Sequence, residues 1–131
     1  MRHRLASYCQ ESTRYCNYSK DKFGREITFI RPTYWKEDIY KYTLWRNSCQ
    51  VLEDVYFALI DANATPQEAR AVLPNSLKTE LIMTANLREW RHFLKLRTSK
   101  AAHPDMRKLA IELLEKFKET LPIIFDDIEV E

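Results

Sequence analysis

The residues best suited to chemistry stand at the very start of the chain: Arg2-His3-Arg4, followed a short way on by Gln10, Ser12, Thr13 and Arg14. Two guanidiniums around an imidazole form a fork of donors suited to a phosphate or a carboxylate, and the hydroxyls can orient the same anion. Composition alone favours an ordinary basic arm, solvated and mobile. The single glycine, Gly24, excludes the Walker A loop and the GxGxxG turn, both of which need several glycines so that phosphate can approach bare backbone. Any phosphate must therefore be held mainly by side chains. Cys9, Cys16 and Cys49 cannot all pair and show neither CxxC spacing nor a histidine at zinc-ligand distance, so no metal is expected. They read as reduced, buried packing or loop residues. His103, just ahead of Pro104, reads as a helix cap or surface residue rather than a base.

The elements that must position these groups come next. The 131 residues are one domain's worth of chain, with 45% hydrophobic and 31% charged residues, a globular balance. The first two dozen residues show no sustained period and read as loop with short extended pieces. Glu26–Ile30 alternates and ends before Pro32, a strand signal. From about Trp35 to Ile60 apolar residues recur at helical spacing: Trp45, Cys49, Leu52, Tyr56 and Leu59, widened by Val51 and Val55. Asp61–Ala64 breaks this helix. Thr65-Pro66-Gln67-Glu68 then supplies a cap, a first-position proline and an acidic first turn for a short helix to Val72, stopped by Pro74. Leu77 to Thr84 alternates as a strand, and Leu87 to Leu96 follows as a helix capped by Asn86. A last helix starts near His103-Pro104, burying Met106, Leu109, Leu113 and Phe117, and ends at Pro122. The expected class from these patterns is α+β, helix-rich, with two strands visible.

Arg2-His3-Arg4, seven residues and then Ser12 resembles the RHRx7S signature of the flavin-dependent thymidylate synthases; Ser7 and Arg14-Tyr15 extend the match to RHRxxSxxxxSxRY. Arg70–Pro74, then Asn86-Leu87-Arg88, then Phe93–Arg97, then Ala102–Arg107 resemble that family's later motifs in order. The resemblance covers essentially the whole chain, 1–131, as one domain, but only the C-terminal portion of the family's subunit, whose members carry a sizeable segment ahead of the RHR. It implies a homotetramer of helix-rich α+β subunits, each with a small, mostly antiparallel sheet flanked by helices, whose active sites are shared among subunits; with no spanning run or signal-peptide core in the sequence, the cytoplasm is the default location. It also implies a reaction in which dUMP becomes dTMP, with methylene-tetrahydrofolate as one-carbon donor and NADPH as reductant through FAD. Such a cofactor performs the redox step while the protein binds, orients and supplies electrostatics.

By the same resemblance Arg2, His3, Arg4, Gln10, Asn86, Leu87, Arg88 and His92 are FAD-binding positions. A helix start beside an arginine suits phosphate or an electron-rich ring edge, whereas Asn86 alone would read as an N-cap. Arg2, Gln10, Glu11, Ser12, Thr13, Arg14, Arg70 and Arg97 match dUMP-binding positions, with Ser12 and Arg14 on the phosphate; Arg70 otherwise reads as a surface residue. Arg97 matches the catalytic position, where a fixed guanidinium would stabilise negative charge on the uracil N3. Otherwise it reads as a helix-end arginine favoured by the macrodipole.

This chain departs from the family pattern at Gln10 (usually Glu), Cys9 (often Asn), His92 (customarily Asn) and Ala101 (His in some members). Gln10 keeps hydrogen-bonding capacity while losing charge. A chain beginning at the motif is expected to expose apolar surface and to associate with itself or a separate piece. Two other readings stand beside the enzyme: a truncated or remnant nucleotide-binding protein without turnover, and a nucleic-acid module built on Arg2, Arg4, Arg14, Tyr8, Tyr15 and Tyr18. The net charge of +2 argues against nucleic acid. No apolar run approaches the roughly 18 residues that would span a bilayer, so no membrane partner is expected.

Overall fold

A computed structural model describes residues 3–20, 24–35 and 37–130. In chain order the elements are β1 (Ala6–Gln10), a 3-10 turn at Thr33–Trp35, α1 (Ile39–Asp61), α2 (Pro66–Ala69) with a 3-10 turn at Arg70–Val72, β2 (Leu81–Ala85), α3 (Leu87–Arg97), α4 (Pro104–Thr120) and α5 (Pro122–Phe125). β1 and β2 form a two-stranded antiparallel sheet, so the chain is α+β and helix-rich as its periodicity predicts. Two compact units share the chain, 1–9 with 82–131 and 10–81. Among the described residues no helix is long and apolar enough to cross a membrane.

In the first unit α3 packs on α4 and α4 on α5. Leu94, Leu114, Phe125 and Ile128 form the core, with Trp90, Phe93, Leu113 and Phe117 against it. Asn86 caps α3 by accepting from the Glu89 N–H at 2.9 Å, as its position predicts. His103 caps α4, its Nδ1 accepting from the Asp105 N–H at 3.4 Å. The expected buried face of α4 is corrected by one position. Ala110 and Leu114 are buried with Leu113 and Phe117 beside them, while Leu109 is 60% exposed. The reason is that α4 is covered by both α3 and α5, which moves its buried stripe. Pro122 ends α4 but also starts α5, which carries Phe125 into the core. The Arg91 guanidinium ties this end down, donating to the Ile124 carbonyl and to both Asp127 carboxylate oxygens.

In the second unit Tyr18, Ile27, Tyr56, Phe57 and Ala69 form the core. α1 starts later than its periodicity suggests, because Asp38 caps it by accepting from the Lys41 N–H at 3.0 Å and Thr33–Trp35 is a separate turn. Cys49 and Tyr56 are buried on the predicted stripe, but Val51 and Val55 face solvent at 59% and 40% exposure. Asn63 ends the helix at φ 68, a left-handed position asparagine tolerates, with its N–H on Ile60 O and the Ala64 N–H on Leu59 O. The predicted cap and acidic first turn of α2 come together as a capping box between Thr65 and Glu68.

The Glu26–Ile30 strand contracts to one bridge, Phe29 with Leu77. A carboxylate takes the place of a neighbouring strand: the Ile27 N–H donates to Glu53 at 2.6 Å. The expected Leu77–Thr84 strand correspondingly starts only at Leu81, since residue 78 pairs back to Thr28. β1 itself lies in the segment that reads as loop with short extended pieces, and is one such piece. Of the thiols only Cys49 is buried, and burial pushes it up, away from the thiolate; Cys16 is half-buried and Cys9 is exposed on β1, against the expectation of burial for all of them.

Candidate functional site

The predicted site residues fall into two groups, one in each unit. In the first unit Arg4, Leu5, Asn86, Arg88, Glu89 and His92 line an open groove of about 770 Å³. Arg88 and His92 are one turn apart on α3 and so share a face. Arg4 and Arg88 are exposed and make no ion pair among the described residues, leaving two cationic forks facing solvent. The N-cap places the start of α3, with its orphan N–H groups, beside them. Leu87 is 43% exposed and is not among the groove's lining residues. Arg2 lies outside the described residues.

His3 is held differently from its neighbours. It is buried, 5% exposed, and packs against the rings of Phe93 and His92 at 5.0 and 5.6 Å. Its Nδ1 lies 3.1 Å from a carboxylate oxygen of Glu89, and its Nε2 accepts from Arg97 Nε at 3.2 Å. The Tyr8 hydroxyl donates to its carbonyl at 3.1 Å. Arg97, in the last turn of α3, is half-buried and is thereby joined to the RHR segment. The Glu89 carboxylate, 6% exposed, is the residue that sequence reasoning missed. The signal was present: Glu89 is three residues after the Asn86 cap, the capping-box position, which assigns a glutamate to the helix start. Here its side chain instead meets His3.

His3, Glu89 and His92 place their ligand atoms within 4.8 Å of one another, the donor types of a cation site. Three guanidiniums weigh against a cation there: Arg97 is 3.2 Å from the His3 ring nitrogen, and Arg4 and Arg88 line the same groove. An electron-rich, anionic ligand suits these surroundings better.

The second group lies in the second unit, where Gln10, Glu11, Ser12 and Thr13 line a groove of about 540 Å³ with Asn75, Leu77 and Thr79. Ser12 organises the turn: its carbonyl accepts from the Tyr15 and Cys16 N–H groups and its hydroxyl from the Arg14 N–H at 3.3 Å. Glu11 is anchored on both sides, its N–H donating to Glu80 O at 2.8 Å and its carbonyl accepting from Thr79 Oγ1 at 3.3 Å. Arg70 donates to Thr13 Oγ1 at 3.2 Å and Arg14 to Gln67 Oε1 at 2.5 Å, so both guanidiniums are tied to this loop and the neighbouring short helix. The Arg14 guanidinium also lies 5.3 Å from the Tyr15 ring centre. Lys78, whose hydrogen bond to Glu80 raises its affinity for the proton, adds a cation 4.0 Å from Glu11. The groove itself offers hydroxyls and amides with one carboxylate, Glu11, while Arg70 and Arg14 stand beside its loop rather than among its lining residues.

Fold and sites define an α+β protein that would meet phosphate through side chains rather than a glycine loop. Residues 1–123 match the family described as thymidylate synthase complementing protein, and the chain belongs to that family. It is similar to the flavin-dependent thymidylate synthase of Geobacter sulfurreducens, 37% identical over 128 residues covering 97% of this chain and 53% of that protein. The enzymes of the same name from Pyrococcus furiosus and Pyrococcus horikoshii are 35% and 36% identical, covering 88% and 95% of this chain and 47% and 51% of their own lengths. The chain thus spans about half the length of the curated relatives it matches.

Proposed function

We propose that the chain forms part of a flavin-dependent thymidylate synthase, corresponding to the C-terminal portion of the subunit with its RHRx7S motif, and serves the conversion of dUMP to dTMP. The observation that carries this reading is the gathering of Arg4, Asn86, Arg88 and His92 around one groove, with His3 and Arg97 joined beside it. These donors suit FAD: guanidiniums for its pyrophosphate, and an amide and imidazole for the ring edge. Arg2, Gln10 and Leu87 complete the flavin set. When bound, the flavin supplies the redox step, taking reducing equivalents from NADPH, while methylene-tetrahydrofolate supplies the carbon.

The chain's own residues bind and polarise the nucleotide. Ser12, Arg14 and Arg70 hold the dUMP phosphate, with Gln10, Glu11 and Thr13 shaping the pocket around it and Arg2 touching the nucleotide. Arg97 stabilises the negative charge that develops on the uracil N3, which makes the base a better carbon nucleophile. A guanidinium already fixed by His3 needs little reorganisation to do so. Turnover takes place in a cytoplasmic homotetramer with shared sites.

The test is a visible absorption spectrum of the purified chain, before and after adding FAD and dUMP, beside gel filtration. Flavin absorbance retained on a multimer and bleached anaerobically by NADPH is the expected result. Nucleotide binding without flavin reduction would replace the enzyme by a remnant binding protein. Salt-sensitive binding to single strands with no preference for dUMP would overturn the reading.

A further inference from the structure

The groups around His3 leave it one protonation pattern. An arginine is only a donor, so the Arg97 Nε–H that points at His3 Nε2 requires a lone pair on that nitrogen. The ring is then neutral, and its one N–H sits on Nδ1, 3.1 Å from the Glu89 carboxylate, which accepts. A free histidine ring favours the opposite tautomer, with the proton on Nε2, and that form would set two N–H donors against each other.

We propose that Glu89 is a positioning residue: its carboxylate fixes His3 in the Nδ1–H tautomer, and His3 in turn holds Arg97 by Nε. The relay commits one of the guanidinium's donor groups and leaves both terminal amino groups without a protein partner among the described residues, free for a planar, electron-rich ligand. Burial sharpens the choice. Glu89 is 6% and His3 5% exposed, so water competes weakly for either nitrogen. The His3 ring is further confined by Phe93 and His92, and its backbone by the Tyr8 hydroxyl. The structure thus couples the start of α3, through Glu89, to its last turn, through Arg97, by way of a residue ahead of β1. The consequence for catalysis rests on the reading that Arg97 meets the uracil ring; the tautomer does not.

Nitrogen-15 NMR of the histidine rings in the whole chain tests the relay above the ordinary histidine pKa, with His3→Gln assigning the signals. Wild type should show His3 as Nδ1–H alone. Glu89→Met, similar in volume but unable to accept, should give a mixture rich in Nε2–H and shift the Arg97 Nε–H resonance. Glu89→Gln, whose carbonyl oxygen can still accept, should largely restore Nδ1–H. An Nε2–H or doubly protonated His3 in wild type would overturn the proposal, as would Glu89→Met with both signals unchanged. Should Glu89→Met fail to fold, the His3 Nδ1–H proton decides: a downfield, exchange-protected signal in wild type that moves upfield in Glu89→Gln supports the carboxylate contact, and one unmoved in Glu89→Gln overturns it. If wild type shows Nδ1–H but binds neither flavin nor dUMP, the relay stands and the synthase reading falls.

Discussion

Arg97 combines two properties that usually oppose each other, a side chain fixed by a neighbour and a charge left uncompensated by any carboxylate among the described residues. A lysine can carry the charge but cannot form the same planar fork with Nε committed to His3. On the proposed synthase reading, Arg97→Lys should lower dTMP formation by about 10²–10³-fold, the usual effect of losing one fixed electrostatic donor, while changing dUMP affinity far less. Steady-state kinetics on the FAD-loaded protein checks this; a loss confined to KM would count against it. A different arginine serves the fold. Its hydrogen bonds from Arg91 hold the Asp127 carboxyl at about 2, below the ordinary carboxylate value of about 3.9. A depressed pKa contributes stability that is fully present above the unfolded value and is lost as pH falls towards the folded one. Urea midpoints of wild type and Asp127→Asn should thus differ at neutral pH and converge between about pH 4 and 2. A gap unchanged across that window would show that the ion pair does not stabilise the C-terminal segment.

At the scale of elements, caps and prolines were legible before any packing was known, because a cap is decided within one turn. Asn86, Thr65-Pro66 and His103-Pro104 each start a helix where their types place it. What escaped the sequence depends on partners distant along the chain. Ala6–Gln10 becomes a strand because β2 pairs with it, not because its residues alternate. Leu109 and Ala110 exchange expected roles because two helices cover α4. Glu89 escaped as a charged residue on a helix face whose partner, His3, is 86 positions away. The RHR segment and the loop at Ser12 stand out in the sequence as candidates for holding an anion, whereas the Arg97–His3 bond could not be read there. Asn86 belongs to both accounts, and substitution separates them. Asn86→Ala should lower stability by about 1 kcal/mol through the lost cap. Asn86→Asp, an equally good cap, should keep stability while, on the proposed reading, adding a negative charge to the flavin groove and weakening flavin binding. Thermal melts and FAD titration read the two effects apart; an Asp variant as unstable as the Ala variant would remove the cap from the explanation.

On the scale of the molecule, the surface of α1 is the most informative. Ile39, Tyr40, Leu44, Val51 and Val55 stand 40–79% exposed along one helix, more apolar side chain than a lone helix face ordinarily shows to water. Self-association is the outcome expected of such a surface. The chain should elute from gel filtration well above its 15.7 kDa, and Leu44→Glu with Val51→Glu should shift it towards monomer without loss of helix by circular dichroism. An unchanged profile would move the contact away from α1. The small sheet carries a separate hazard. Among the described residues each of its two strands has one neighbour, so each keeps an outer row of amides and carbonyls open. Leu81-Ile82-Met83-Thr84-Ala85 has no charge and no proline to guard that row, and Leu81 and Ile82 are already at the surface. Such a strand is a template as well as a scaffold: in concentrated or heated solution it can recruit the same strand of another molecule, so handling losses would begin at the sheet before the helical cores melt.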